Sequence, residues 1–426
     1  MTPTAWLLSA GFGALMLAGV PFGFALVLTT IVVVLYADID GMVLAQTLIA
    51  STQSFSLLAI PFFMLAGEIM SAGGLSARLV NLASVLVRHL RGGLGHVTIL
   101  SALVFAAISG SAPATTAAIG SIMIPAMAAR GYDKGFAAAL AVSAGVLGPM
   151  IPPSIAGVIW GVIAEQSISR VFLSTVIPGI TIALGLLVIC WWQARRHGIP
   201  LEPRATRREV LTAFNEAKWA LLTPVIVLGG IYGGAFTPTE AAVVSCVYGL
   251  FVGFVIEKRL TLRDFPRITI SAMRITAIVM FIIAASGGFG VLVAQEQVAS
   301  KLSAWLSSAL QERWQMLLVL NIFFFLAAAV MDEIAIMVIM GPMLIAIANR
   351  FGVDPIQFGA VIVTNVSIGM AAPPIGYCLF VGMAISGLSL GRISRAIWPQ
   401  IVWMLIVLLL TTYIPVFSLG IQSLSR

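Results

Sequence analysis

The chain has 426 residues, of which 60% are hydrophobic and only 9% are charged, with a formal net charge of +7. A soluble protein carries roughly 25% charged residues, so this composition predicts a polytopic membrane protein. Basic residues in such a protein mark cytoplasmic loops, so the positive charge does not indicate a nucleic-acid partner. The three cysteines, Cys190, Cys246 and Cys378, lie in separate apolar segments and are expected to be buried small side chains.

The first part of the chain predicts a set of scaffold helices. In order, these are two short or tilted membrane helices (5–19 and 21–36), an amphipathic arm (41–53), a third apolar helix (57–70) and an interfacial helix (74–91). Glu68 lies on the third helix, where we expect it to act in helix capping or in a hydrogen bond between helices.

The next segment, residues 94–129, is apolar but interrupted at Ser109-Gly110-Ser111-Ala112-Pro113. Its arms of about 14 and 16 residues are too short to cross a bilayer and return, so they predict a re-entrant helical hairpin. Pro149, Pro152 and Pro153 then interrupt an apolar helix at 135–168, because proline donates no backbone hydrogen bond. A broken helix survives in a membrane only where it is buried in protein or lines a cavity.

After a full span at 171–193 and a polar linker at 194–218, the same order of elements returns. The second set comprises two helices (219–233 and 241–256), a basic interfacial stretch (258–274), a third helix (275–293), an amphipathic helix (298–312), a hairpin (316–349), a broken helix (356–388) and a final span (397–419). Phe236 to Glu240 forms the turn between the first two helices, with Glu240 as a helix-start residue. The break recurs 221 positions later, where Gly369 matches Gly148 and Pro373-Pro374 matches Pro152-Pro153.

This doubled order predicts an all-α fold of two repeats. Each repeat has five crossings, one of them a broken helix, plus a re-entrant hairpin, and an odd number of crossings makes the second repeat inverted. The predicted parts are a scaffold at 1–93 and 219–315, a transport part at 94–193 and 316–426, and the cytoplasmic linker at 194–218.

The distribution of basic residues predicts the orientation. With the 194–218 linker in the cytoplasm, 18 of the 23 lysines and arginines lie on the cytoplasmic side, and both termini lie outside it. The other 5 are Arg170, Lys301, Arg313, Arg350 and Arg426.

The two hairpin tips suggest ion chemistry. Carbonyls freed at the prolines, with Ser109 and Ser111, are hard oxygen ligands for a small cation such as Na⁺, while nearby half-helix N-termini favour an anion. The second tip instead carries Asp332 and Glu333. Asp332 could coordinate a cation, carry a proton or simply accept hydrogen bonds from the N–H groups of the tip, and Glu333 is expected to be structural or solvated. Because the sequence holds no nucleotide-binding or catalytic motif, the energy would come from an ion gradient.

These motifs resemble the large membrane subunit of TRAP (tripartite ATP-independent periplasmic) transporters. The resemblance covers essentially the whole chain and is carried by the Ser109–Thr116 hairpin, the Gly148–Pro153 break, the Phe236–Ala242 turn and the Met331-Asp332 tip. It implies Na⁺-coupled uptake of an organic acid by an elevator-type mechanism, without ATP and without any cofactor beyond the coupling ion. The implied partners are a small membrane subunit of four helices and a periplasmic binding protein that delivers the substrate.

The resemblance also implies the site residues. The first Na⁺ site would comprise Ser109, Ser111, Gly148, Ile151 and Pro153. The second would comprise Asp332, Gly369 and Ala372, with Ala372 contributing only its backbone. The substrate would lie between the tips, near Ser109, Gly110, Ser111, Ala112, Thr115 and Ile334.

Two other readings stay open at this point. The chain could be a stand-alone cation-coupled anion symporter that needs no binding protein. It could also be a membrane enzyme or assembly scaffold, although no clustered acid, base or nucleophile supports an enzyme.

Overall fold

The structure is a computed structural model that describes residues 2–199, 201–297, 301, 310, 312–329 and 331–424, and these residues contain helices but no strands. The helices of the first half are α1 (Pro3–Leu17), α2 (Phe22–Tyr36), α3 (Gly41–Ala50), α4 (Ala59–Ala72), α5 (Leu75–Val87), α6 (Gly93–Ser109), α7 (Ala112–Ala129), α8 (Lys134–Gly145), α9 (Leu147–Met150), α10 (Ile155–Ile163) and α11 (Ile168–Arg196). The helices of the second half are α12 (Arg207–Tyr232), α13 (Pro238–Phe251), α14 (Phe265–Gln295), α15 (Arg313–Ala328), α16 (Glu333–Arg350), α17 (Pro355–Gly369), α18 (Tyr377–Ser386), α19 (Leu390–Tyr413) and α20 (Pro415–Leu424). The amphipathic helix predicted at 298–312 lies largely outside the described residues.

The length and composition of these helices confirm a polytopic membrane protein. Among the described residues, 8 helices are long and apolar enough to cross a membrane, or up to 9 if the bent pair 134–150 and 155–163 counts as one span. The hairpin arms are longer than the sequence suggested, because α6 has 17 residues and α7 has 18. Pro125 lies inside α7 without ending it, so only the Gly110-Ser111 turn separates the arms.

The predicted polar linker at 194–218 is mostly helical. Helix α11 continues to Arg196, and α12 already begins at Arg207, which leaves only 197–206 between them. A capping box starts α12, since the Glu209 backbone N–H donates to Thr206 Oγ1 at 3.2 Å and the Thr206 N–H donates to Glu209 Oε2 at 2.7 Å. Ala213 and Ala217 then pack on α5, so this charged helix has a buried face despite its polar composition.

Two other predicted boundaries were also wrong. The basic stretch at 258–274 and the span at 275–293 are not separate elements, because α14 runs unbroken through 31 residues from Phe265. The last span was predicted at 397–419, but α19 covers 390–413 and α20 follows as a separate helix. The cause of the second difference is Pro415, which disfavours a helical backbone at the preceding residue, and Ile414 has extended angles (φ −115°, ψ 98°).

The two acidic residues assigned to the scaffold have structural roles. Glu240 closes a second capping box at the start of α13, accepting from the Thr237 N–H at 2.8 Å, as the sequence predicted. Glu68 on α4 is half-buried and interacts with the Ser271 side chain on α14. Both carboxylates therefore hold helices in place.

The core joins elements of the two halves. Beyond the first break, α10 packs against α16 of the second hairpin, and α18 beyond the second break packs against α7 of the first hairpin. The largest buried cluster accordingly mixes α6, α7 and α8 with residues 368–379 of the second break. The two breaks thus bring both hairpins into one assembly.

Candidate functional site: two hairpin tips against two helix breaks

The first helix break begins after Met150. The position of Pro149 in the sequence had suggested that the helix ends earlier. Pro149 lies inside α9, and Val146, which joins α8 to α9, keeps helical angles (φ −55°, ψ −24°). Proline removes only its own hydrogen bond to the carbonyl four residues back, that of Gly145, where α8 ends. The non-helical segment is therefore 151–154, and the helix axis bends by 41° there.

The tip of the first hairpin fills this break. The Ile155 N–H donates to the Gly110 carbonyl at 3.3 Å, which links the tip to the first residue of α10. Gly110 has a left-handed backbone (φ +61°), and a Cβ there would lie 2.7 Å from the Pro153 carbonyl oxygen. A Cβ at Gly148 would overlap the Ser111 carbonyl oxygen in the same way. Glycine at both positions lets two backbones meet inside the protein.

The residues predicted for the first Na⁺ site, and those predicted for the substrate site except Ile334, lie at this tip or in the break that it contacts. The Ser109 and Thr115 hydroxyls lie 2.8 Å apart, and Ser109 Oγ lies 3.5 Å from the Ser111 carbonyl oxygen. Gly148 and Pro153 approach the same turn through their backbones. Ile151 occupies the break, and its side chain lies against Gly179 of α11. Ala112 is fully buried at the start of α7.

The second hairpin meets the second break by the same kind of contact. The Gly376 N–H donates to the Ala329 carbonyl at 3.0 Å, and Gly376 and Ile155 are themselves 221 positions apart. A Cβ at Gly369 would overlap Ala328 at the end of α15. A Cβ at Gly376 would lie 2.6 Å from the carbonyl oxygen of buried Ala372. The predicted Gly369 and Ala372 therefore lie where tip and break meet.

A buried amide network, which the sequence reading missed, fixes this second contact. Asn365 Nδ2 of α17 donates to Asn321 Oδ1 of α15 at 3.0 Å, and Asn321 Nδ2 donates to the Thr412 hydroxyl of α19 at 2.9 Å. Asn365 lies one helical turn before Gly369, so the network sets α17 beside the first arm of the second hairpin. The sequence carries a signal for this network, because Asn321 and Asn365 each lie within an apolar segment, where a polar side chain needs a buried hydrogen-bond partner.

The two acidic residues of the second tip differ in their surroundings. Asp332 is the N-cap of α16, and its Oδ1 accepts from the Ile334 N–H at 2.9 Å. Ile334, assigned to the substrate site, is buried in the first turn of the same helix. Glu333 is also buried rather than solvated, with 4% of its surface exposed, and its Oε2 has no hydrogen-bond partner.

The atoms at the tips that could bind a cation are mainly the oxygens of carbonyls and hydroxyls. No group of three or more His, Cys, Asp or Glu side chains able to hold a metal ion occurs within the described ranges. Oxygen ligands of this kind suit hard cations.

The all-helical fold has a counterpart among solved membrane proteins. The YdaH transporter of Alcanivorax borkumensis has the same fold, with a TM-score of 0.64 over 88% of this chain and 89% of that one, at 16% sequence identity.

The family follows from sequence. Residues 10–417 match the DctM component of the tripartite ATP-independent periplasmic transporters, and the chain belongs to this family. It is 38% identical to the C4-dicarboxylate TRAP transporter large permease protein DctM of Rhodobacter capsulatus, over 96% of this chain and 97% of that protein. It is 35% identical to the sialic acid TRAP transporter large permease protein SiaM of Vibrio cholerae, over 97% of each chain. The chain is therefore a transporter subunit and not an enzyme.

The glycine contact at the first break gives a direct test of this packing. We expect Gly148→Ala to lower the free energy of unfolding by about 1–3 kcal/mol, because its Cβ would overlap the Ser111 carbonyl in a closely packed core. Thermal unfolding of the purified variant in detergent measures this. The matched control is Gly229→Ala on α12, where a Cβ meets nothing within 4 Å. Equal stability of the two variants would contradict the contact.

Proposed function

We propose that this chain is the membrane transport subunit of a Na⁺-coupled TRAP transporter that imports a small organic acid. The observation that carries the proposal is the paired arrangement of a hairpin tip against a helix break, with backbone oxygens gathered at each contact. Such breaks are the places where membrane transporters bind ions and substrates. Na⁺ is cargo in this scheme, and no other cofactor is proposed.

The proposed substrate is a small carboxylate such as a dicarboxylate or a sialic-acid-like sugar acid. Two similar large permeases are named for C4-dicarboxylate and for sialic acid. The proposed binding region lies between the two tips, at Ser109, Gly110, Ser111, Ala112, Thr115 and Ile334. There the first turn of α7, which holds Ala112 and Thr115, presents a helix N-terminus that favours a carboxylate.

We place one proposed cation site at each hairpin tip. The first uses Ser109, Ser111, Gly148, Ile151 and Pro153, where hydroxyl and carbonyl oxygens cluster. The second uses Asp332, Gly369 and Ala372. One Asp332 oxygen caps α16, and the carboxylate brings the only formal charge in this predicted set.

The proposed mechanism is an elevator in which two inverted repeats supply the moving part. The donors of the two tip contacts, Ile155 and Gly376, are 221 positions apart and the acceptors, Gly110 and Ala329, are 219 apart, which supports the repeats. A cavity of about 470 Å³ is lined by α14 of the proposed scaffold and by α10 and α16 of the proposed moving part. Its lining is mainly aliphatic, including Ile163, Ile283 and Met343, and such an interface can slide without breaking hydrogen bonds.

The proposed location is the bacterial inner membrane, with both termini periplasmic and the 197–206 segment cytoplasmic. Arg204 and Ser167 are both exposed and fall on opposite sides in this topology. A single cysteine replacing Arg204 should react with an impermeant thiol reagent only from the cytoplasm, and one replacing Ser167 only from the periplasm. The native cysteines are buried and should not interfere. The reverse pattern would contradict the topology.

The tripartite assignment predicts that uptake needs partners. We expect proteoliposomes holding this chain with its small four-helix membrane subunit to accumulate organic acid only when an inward Na⁺ gradient and the cognate periplasmic binding protein are present. Radiolabelled succinate and sialic acid are the first substrates to test. Uptake by this chain alone would favour the stand-alone symporter.

The second cation site predicts a specific effect of charge at Asp332. Asp332→Asn keeps an oxygen for the N-cap bond of α16 but removes the negative charge, so we expect a folded protein without Na⁺-driven uptake. Asp332→Ala should lose uptake and also about 1 kcal/mol of stability, since alanine cannot cap a helix. Uptake in proteoliposomes and thermal unfolding separate the two effects. Wild-type uptake by Asp332→Asn at saturating Na⁺ would exclude a charge requirement.

A further inference from the structure

Helix α11 presents a continuous apolar face on the outside of the protein. Ile180, Leu184 and Val188 follow one another along this face at intervals of one helical turn, and all three are exposed. Trp191 and Trp192 extend the face toward the C-terminal end of the helix and are exposed as well. The rest of α11 packs on other helices of the protein. The exposed face therefore needs an apolar neighbour from outside the chain.

Arg195 and Arg196, one turn further on, lie over these tryptophans. The guanidinium carbon of Arg195 lies 5.6 Å from the centre of the Trp191 ring, and that of Arg196 lies 5.5 Å from the centre of the Trp192 ring. Stacking of this kind holds a guanidinium in place and leaves its N–H donors available for a ligand. Both arginines are exposed, and neither belongs to an ion pair among the residues that the structure describes.

The helices around this pair of charges supply no negative charge of their own. Helix α11 contains no Asp or Glu. The neighbouring helix α19 contains none either, and it is fixed to α11 by the Trp403 indole N–H, which donates to the Thr181 carbonyl at 3.2 Å. In the segment that follows α11, Glu202 pairs with Arg130. The end of α11 is therefore positively charged and aromatic, and it continues directly from an apolar face.

The length of this face matches one leaflet of a membrane. A Cβ at Gly179 would contact Ile151, so this part of α11 lies at the depth of the first helix break. From Ile180 to Arg195 the chain advances 15 residues, which is about 22 Å of α-helix. One leaflet with its headgroup region is about 20–22 Å thick. An acyl chain that lay along the face would therefore bring its headgroup to the two arginines.

We propose that the C-terminal end of α11 binds an anionic phospholipid, with its phosphate on Arg195 and Arg196 and an acyl chain along Ile180, Leu184 and Val188. Guanidinium groups bind phosphate oxygens through paired hydrogen bonds. Phosphatidylglycerol supplies the negative charge that the neighbouring helices lack, whereas phosphatidylcholine would add an ammonium group beside two arginines. The site shares no residue with the proposed cation and substrate sites, so it does not depend on Na⁺ coupling.

The test measures lipid binding to the delipidated complex of this chain with its small membrane subunit. Native mass spectrometry counts the bound molecules as dioleoyl phosphatidylglycerol or dioleoyl phosphatidylcholine is added. We expect wild type to bind phosphatidylglycerol more tightly than phosphatidylcholine. Combining Arg195→Gln with Arg196→Gln should weaken the tightest phosphatidylglycerol site about thirtyfold, which is about fivefold for each arginine near an anionic headgroup.

The matched control combines Arg204→Gln with Arg207→Gln. It removes the same charge from two exposed arginines in the next part of the chain, and it should bind lipid as wild type does. Because all four side chains are exposed, both double variants should unfold at the wild-type temperature in detergent without added lipid. Unchanged binding by the first double variant would overturn the proposal. So would equal weakening by both double variants, or equal affinity of wild type for the two lipids.

A photoreactive benzophenone side chain in place of Val188 tests what covers the apolar face. On illumination in native membranes it should cross-link to phospholipid, with phosphatidylglycerol enriched over its share of the membrane. Adding Arg195→Gln and Arg196→Gln should remove this enrichment. Cross-linking to the small membrane subunit or to a second copy of this chain would assign the face to a protein contact and overturn the proposal.

Discussion

The fold depends on satisfying backbone groups where two helices break inside a membrane protein. Hydrocarbon offers them no hydrogen bonds, so protein must supply the partners. Here each partner is a carbonyl at a hairpin tip, Gly110 for the first break and Ala329 for the second. The tip can come close enough only because Gly148 and Gly369 lack side chains. Hairpin and broken helix therefore form one structural unit in each half.

These two units share a backbone arrangement but not a chemistry. The first tip offers the hydroxyls of Ser109 and Thr115, which lie in hydrogen-bonding contact. The second offers the carboxylates of Asp332 and Glu333, only one of which has a hydrogen-bonded oxygen. A cation at the first tip would be bound by uncharged oxygens, whereas a cation at the second tip would lie near carboxylate groups. This difference leads us to expect the two tips to bind Na⁺ with different affinities.

The sequence predicted those parts of the fold that a few neighbouring residues determine, such as helix starts and helix breaks. Proline and glycine marked both breaks and the first hairpin, and the acidic pair Asp332 and Glu333 marked the tip of the second. Thr237 to Glu240 marked a helix start that the structure confirms. The same local signal at Thr206 and Glu209 was overlooked because the surrounding charge favoured a linker. The boundaries of α14 and α19 were missed for a related reason, since hydropathy marks the apolar portion of a helix rather than its ends.

Other features depended on contacts between distant parts of the chain and could not be read from one sequence. The packing of α10 on α16 and of α18 on α7 joins segments far apart in sequence. That packing decides that Glu333 is buried and not solvated at its tip. It also buries Cys378 of the second half in one cluster with residues of α6, α7 and α8 of the first half. The two tips of the candidate site were therefore predictable from the sequence. The packing of the two halves around them was not.

We expect the contacts between tips and breaks to bind Na⁺. The most direct measurement is a pair of high-resolution electron cryo-microscopy maps of the complex, one in NaCl and one in choline chloride. We expect density in NaCl alone at both tips. Oxygens of Ser109, Ser111 and Gly148 should enclose it at the first tip, and oxygens of Asp332 and Gly369 at the second. Identical maps at both tips, with Na⁺-dependent uptake intact, would contradict it.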